Sequence, residues 1–232
     1  MNLWVVAAVE NELNIVRAEL SAGFGGMAGG HRYYRASWGR HSVYLGVTGV
    51  GIVSAAVAVT AFACTIGADR IIMIGSAGAY PGSGLQIGDV AVASSETFSE
   101  LGVREGPGIG NGGALGVSDV EQTILLDKGL ARDLAHAANE AAHAGSGRFL
   151  TVAGVSEDLG CAATRDRHFG ALVENMEGYA LASAGQKLGI EVGEVRGISN
   201  YAGNRDKGAW NLDAANERAQ AVVPAYLRKY LQ

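Results

Sequence analysis

Acidic and amide side chains stand in this sequence where apolar runs break off, and such groups can take up protons, polarise water or orient hydroxyls. Glu12 follows the apolar run Leu3 to Val9. Glu174 and Glu177 flank Met176 in "VENMEGYA", an otherwise apolar stretch, and acids entering a buried helix need a partner or a ligand. Ser199 and Asn200 end the apolar-leaning run Val192 to Ile198, ahead of the polar patch Asn204, Arg205, Asp206 and Lys207 and then Trp210. Each also has a plain reading. Glu12 suits the dipole of a helix start, Glu177 a solvated or ion-paired position, and Asn200 a turn. Two glycine-rich stretches join them. "TGVGIVSAA" (48–56), with Val50 between its glycines, could turn backbone N–H groups toward an anion or simply allow close packing. "GSAGAYPGSG", with Ser76, Ala77 and Gly78, lets the backbone approach either a ligand or another element.

The elements that must position these residues are read from periodicity. Continuous apolar runs predict strands over 3–9, 70–75, 89–98, 148–156 and 191–199, with a hairpin of 33–38 and 42–47 around Gly39-Arg40. Helices are predicted after Glu10, with Leu13, Val16 and Leu20 on one face, and over 50–66, 128–144, 176–188 and 212–230. Residues 102–116 carry seven glycines and are expected to form a mobile surface loop. Alternating strands and helices without a linker predict one α/β domain over 1–232, its central sheet covered on both faces. Ligands of such sheets bind at the carboxyl ends of strands. That rule adds Ser156 to Asp158 to the candidates.

Composition excludes several classes. The 232 residues are 48% hydrophobic and 18% charged with a net charge of −5, which speaks against nucleic acid as a partner. Two distant cysteines and no clustered histidines predict neither disulfide nor zinc site. Ser42 to Ala68 holds no charge and mimics a membrane helix, but "GVTGVG" divides it into strand and helix. With no basic leader at the N-terminus, a soluble cytoplasmic protein is expected.

"TGVGIVSAA", "GSAGAY…LQIGDVAVAS", "VENMEGYALA" and the strand ending "RGISN" resemble, in order, the pattern of the nucleoside phosphorylase/nucleosidase superfamily, from Leu3 to the C-terminal helix. The resemblance implies a three-layer sandwich with a mixed, partly barrel-like sheet. It also implies a small-molecule nucleoside substrate, no cofactor or metal, and a homodimer or higher homo-oligomer. The chain is most similar to the bacterial nucleosidases that cleave methylthioadenosine and S-adenosylhomocysteine or, in a separate branch, futalosine. On this resemblance Glu12 activates water. The superfamily's bacterial phosphorylases instead carry a Gly-Asp-Pro segment and a basic residue for phosphate near this point. Met176 and Glu177 would hold the ribose, Ser76 to Gly78 and Ser156 would line the pocket, and Leu159 would stand near the base. Between 156 and 164 no aromatic is present to stack on the base. Arg104 and Arg205 read as ordinary surface arginines, or alternatively as partners of a substrate carboxylate.

Ser199-Asn200 replaces the Ser-Asp pair of the methylthioadenosine enzymes, while "ISNYAGNRD…W" and "ETFSELGVREG" resemble the futalosine branch, which has asparagine here. A carboxylate accepts from a 6-amino group but repels a 6-oxo group. An amide can donate to the 6-oxo oxygen and accept from a protonated ring nitrogen. The amide thus points to a 6-oxopurine, and the resemblance to the futalosine branch implies hydrolysis of futalosine to hypoxanthine and dehypoxanthine futalosine, in menaquinone biosynthesis. The alternatives are a methylthioadenosine/S-adenosylhomocysteine nucleosidase and a purine nucleoside phosphorylase acting on 6-oxopurines.

Overall fold

The computed structural model describes residues 1–106 and 108–231; Pro107, inside the glycine-rich segment, and Gln232 lie outside them. The strands are β1 (Asn2–Ala7), β2 (Gly23–Ala28), β3 (His31–Trp38), β4 (His41–Val47), β5 (Arg70–Ala79), β6 (Val90–Phe98), β7 (Val103–Gly106), β8 (Ile109–Asn111), β9 (Thr123–Leu125), β10 (Ala144–Thr151), β11 (Val173–Asn175) and β12 (Glu191–Tyr201). The helices are α1 (Asn14–Glu19), α2 (Ile52–Ile66), α3 (Lys128–Ala141), α4 (Leu159–Phe169), α5 (Gly178–Leu188) and α6 (Leu212–Tyr230).

The main sheet runs β11-β10-β6-β12-β5-β1-β4-β3-β2, with β9 against β6. β11 also pairs antiparallel with β5, Val173 opposite Ala79 and Glu174 opposite Gly78. Five strands thus close into a ring, and the mixed sheet is part barrel. Strand alternation divides the core between its faces. Leu3 and Val5 of β1 join Leu134 of α3 and Val223 of α6 on one side. Trp4 and Val6 join Phe62 of α2 and Leu181 of α5 on the other. The result is a three-layer sandwich of helices, sheet and helices, and no described helix is long and apolar enough to cross a membrane.

Several elements differ from the sequence expectation. β5 continues to Ala79, because small residues let the chain beside it come close: a Cβ on Gly78 would lie 3.3 Å from the Ala202 Cα. β10 begins at Ala144 and ends at Thr151, earlier than the predicted 148–156. The described part of 102–116 is not a loose loop. It holds the antiparallel pair β7–β8, tied to the body by Gly110 N–H donating to Ser99 O at 2.7 Å and Gln122 Nε2 donating to Gly110 O at 2.7 Å. Its glycines permit close approach, since a Cβ on Gly110 would sit 2.6 Å from Leu101 O. β2, β9, β11 and α4 carry too weak a pattern to have been predicted. The run 192–198 is buried throughout, yet carries Glu194 and Arg196 on one face of β12.

β12 and α6 meet backbone to backbone at Gly197, where a Cβ would stand 2.0 Å from Ala215 O. Gly197→Ala should therefore cost about 1–3 kcal/mol in denaturant unfolding, the usual range for overpacking. Gly23→Ala, with nothing within 4 Å of the added carbon, should stay within about 0.5 kcal/mol of wild type.

Candidate active site

β1, β5 and β12 run parallel, so their carboxyl ends open on the same side of the sheet. β11 brings Glu174 to Glu177 to that place by crossing onto β5. A cleft forms there, and residues singled out by sequence line it, among them Glu12, Val50, Ser76, Ala77, Gly78, Met176, Glu177, Ser199 and Asn200.

Its floor is an ion cluster. Glu12 is 6% exposed; Oε1 accepts from Ser76 N–H at 3.1 Å and Oε2 from Val9 N–H at 3.3 Å. Glu177, 4% exposed, stands just ahead of α5; its Oε1 accepts from Gly51 N–H at 2.9 Å. Between them lies the Arg196 guanidinium, buried on β12. Its Nη2 is 3.3 Å from Glu177 Oε2, and its Nε donates to Glu194 Oε1 at 2.8 Å. Gly75 leaves the room for this meeting, since a Cβ there would lie 2.7 Å from Arg196 Nη1 and 3.0 Å from Glu12 Oε1. Burial pushes the Glu12 carboxyl above the usual carboxylate range; Arg196 and the Ser76 and Val9 N–H groups pull the other way, and Glu177 adds to the rise. Burial alone would lower the proton affinity of Arg196, but Glu194, Glu177 and Glu12 outweigh it and hold the guanidinium above its ordinary value.

The opposite feature is an amide. The β12–β5 register slips between Ile198 and Asn200, so Ser199 is an extra residue in the strand. Such bulges re-aim side chains beside active sites. Here the bulge lets neighbouring side chains meet. Ser199 Oγ lies 2.7 Å from Asn200 Oδ1 and donates to it, while Asn200 Nδ2 donates to Tyr201 O at 2.9 Å. One N–H and one lone pair of the amide are left for a ligand. Asn200 is 9% exposed.

Two candidates fall elsewhere. Ser156 is fully buried behind the cleft, where its Oγ donates to Glu174 Oε2 at 2.6 Å and accepts from Arg165 Nη1 at 3.0 Å. Its neighbour Val155 takes the place on the lining. Leu159 opens α4 and is 59% exposed, because Asp158 caps that helix by accepting from Cys161 N–H at 2.7 Å and turns Leu159 outward. Arg104 lies exposed on β7, whereas Arg205 lines the cleft with its guanidinium 5.0 Å from the Trp210 ring centre. Trp210, tied by Nε1–H to Asn204 O at 2.8 Å, is the aromatic residue on the lining. Sequence reading missed Arg196. The available signal was two opposite charges two residues apart in an apolar strand, which must share a face and pair. Among the described residues no cluster of three or more histidine, cysteine or acidic side chains could hold a metal ion.

The sequence and the fold have counterparts in known proteins. The futalosine hydrolase of Thermus thermophilus is 36% identical over 196 residues, 82% of this chain and 83% of that one. In shape the chain matches a futalosine hydrolase mutant of Helicobacter pylori (TM-score 0.88, 16% identity, 99% of both chains). It equally matches the methylthioadenosine/S-adenosylhomocysteine nucleosidase of Neisseria meningitidis in complex with methylthio-immucillin-A (TM-score 0.85, 22% identity, 98% of both chains). At such low identity the two structures speak for the fold alone. The family model described as the phosphorylase superfamily matches residues 2–231, and with the ring-closed sheet and the cleft at its strand ends, the chain belongs to that superfamily.

Proposed function

We propose that the chain hydrolyses the N-ribosyl bond of futalosine, releasing hypoxanthine and dehypoxanthine futalosine, a step of menaquinone biosynthesis. The carrying observation is the Asn200 amide on the cleft lining, whose bonds to Ser199 Oγ and Tyr201 O leave one N–H and one oxygen lone pair uncommitted. That pairing fits a 6-oxopurine, whose oxygen accepts and whose protonated ring nitrogen donates. The relative from Thermus thermophilus bears the name of this activity and supports the same substrate.

In this reading Glu12 is the general base. It takes a proton from water as the water oxygen attacks C1′. The C1′–N9 bond breaks with its electron pair going to the purine, through an oxocarbenium-like transition state of the kind that glycoside cleavage uses. Asn200 has no proton to give, so the ring nitrogen takes one from solvent while the amide holds the base. Glu177 keeps a lone pair on each oxygen beyond its bonds to Gly51 and Arg196, and accepts from the 2′- and 3′-hydroxyls. Met176 packs on the sugar, and Trp210 offers the aromatic surface that 156–164 lacks. A buried acid at Glu12 disfavours phosphate, and with it the phosphorylase reading. A methylthioadenosine nucleosidase calls for a carboxylate where Asn200 stands. Ser156 serves from behind the lining, by holding Glu174. A cytoplasmic homo-oligomer belongs to this reading, and exposed Phe24, Met27, Val53 and Val57 offer an apolar surface for subunit contact.

The deciding assay incubates the protein with futalosine, aminodeoxyfutalosine, methylthioadenosine and inosine, with and without phosphate, and identifies the base released. Hypoxanthine from futalosine without phosphate is expected; adenine from the amino substrates and none from futalosine would overturn the reading. Glu12→Gln should lower kcat by about 10²–10⁴-fold with substrate still bound. Because the base works deprotonated and burial raises its pKa, wild-type kcat/KM should fall as pH drops through a midpoint above the ordinary value of about 4.3. Asn200→Asp should move preference toward 6-amino substrates by about 10- to 100-fold, the effect of one mispaired buried polar group. Unchanged base choice would remove Asn200 as the selector.

A further inference from the structure

Behind the cleft, on the inner side of Arg196, lie two carboxyls that the hydrolysis does not use. Glu96 of β6 and Glu194 of β12 are both 0% exposed. Glu96 Oε2 accepts from Thr151 Oγ1 at 2.6 Å and Oε1 from Asn175 Nδ2 at 2.6 Å. Glu194 Oε1 accepts from Arg196 Nε, but Glu194 Oε2 has no donor, although it is buried. That orphan oxygen and Glu96 Oε1 converge on one spot above Gly178, where a Cβ would lie 2.2 Å from the first and 2.1 Å from the second. The two oxygens thus border a space no larger than one methyl group. Two buried anions cannot face each other across that spot without a proton between them, and a proton there supplies the one missing donor.

We propose that Glu96 and Glu194 share a single proton between Glu96 Oε1 and Glu194 Oε2, and that the pair positions Glu177 from two sides. One arm runs through the side chain: Glu194 fixes Arg196 Nε, and Arg196 Nη2 meets Glu177 Oε2. The other runs through the backbone. Glu96 holds Asn175 Nδ2, and Asn175 Oδ1 accepts from the N–H groups of Glu177 and Gly178 at 2.9 and 2.7 Å. Arg196 on β12 is the cation that meets the pair, and through it the pair is linked to Glu177 ahead of α5 and Glu12 beyond β1. Thr151 of β10 accepts the backbone N–H of Tyr179, at the head of α5. Burial, with Glu194 beside it, pushes the Glu96 proton affinity well above the usual carboxylate range, in keeping with a proton retained at neutral pH. Loss of that proton at alkaline pH would set two anions against each other and release Glu177 from its aim. The positioning role rests on the ribose-binding assignment of Glu177; the proton itself does not.

Infrared difference spectroscopy of the substrate-free protein tests the proton directly. Wild type at neutral pH should show the carbonyl stretch of a neutral carboxylic acid, lost in both Glu194→Gln and Glu96→Gln and kept in Glu12→Gln. Absence of the band, or its survival in both pair variants, would overturn the proposal whatever the substrate proves to be. Glu194→Gln mimics the neutral pair, its amide donating to Glu96 and its carbonyl accepting from Arg196. It should keep kcat within about tenfold of wild type and lose the alkaline fall, while Glu194→Val should lose about 100-fold, as expected for a displaced positioning group. Glu194→Gln as impaired as Glu194→Val would mean that the charge matters and not the proton. A proton held more tightly folded than unfolded also makes stability decline as pH rises above the ordinary carboxylate range, until the folded pair itself ionises. The denaturation midpoint of Glu194→Gln should therefore decline less steeply than that of wild type. Wild type inactive on futalosine but with the band intact would refute the substrate and leave the pair standing.

Discussion

A guanidinium buried in the middle of a sheet is tolerated only where anions meet it, and Arg196 imposes that condition on the whole cleft. Removing an ion from water costs several kcal/mol after relaxation, and removing one partner of a buried pair typically costs about 3–5 kcal/mol. The anions come from three separate parts of the chain. Glu194 lies on the same strand, Glu177 just ahead of α5 and Glu12 in the turn after β1. Satisfying one cation therefore ties those segments to a common centre. The carboxylates assigned to water and to ribose are also the counter-ions of the fold, so their orientation is held by the same energy that keeps the sheet intact.

Two irregularities of the sheet make this centre accessible. An open parallel sheet would leave the "VENMEG" segment remote from the ends of β5 and β12. Pairing β11 with both β10 and β5 closes the ring and carries Glu174 to Glu177 across. The bulge at Ser199 then adds a residue without ending the strand, so serine and amide meet where strict alternation would set them on opposite faces. Neither feature adds a chemical group. Each converts ordinary strand residues into a convergent set.

The parts of this arrangement legible in the sequence were those at which an apolar run stops. Glu12, Ser76 to Gly78 and Ser199-Asn200 sit at such ends, and the rule for strand ends gathers them from the residue pattern alone. The central strands and long helices were legible for the same reason, as clean periods. What escaped carried weak or conflicting patterns. β2 is the glycine-rich edge "GFGGMA", β11 has three residues, and α4 reads "LGCAATRDRHF", with few apolar positions for a stripe. Glu194 and Arg196 were passed over because a strand is recognised by its average, and two charges that cancel leave the average of an apolar run intact. Ser156 and Leu159 show the converse limit: their segment was located, but which side chain turns inward depends on the Asp158 cap and on Glu174 behind it.

Gly178 sits beneath the meeting point of two carboxyls, with no space for even a methyl group. Three positions far apart in the chain are therefore bound into one hereditary unit. A lineage that carries acids at both 96 and 194 cannot accept a side chain at 178, whatever helix propensity would favour there. Escape is possible only in one order, with both carboxyls shortened or lost before the glycine is replaced, because each alone reaches within 2.2 Å of the added carbon. Divergence from this chain should thus leave glycine at 178 as the last of the three to change, a trace readable in descendants that no longer bind the same base.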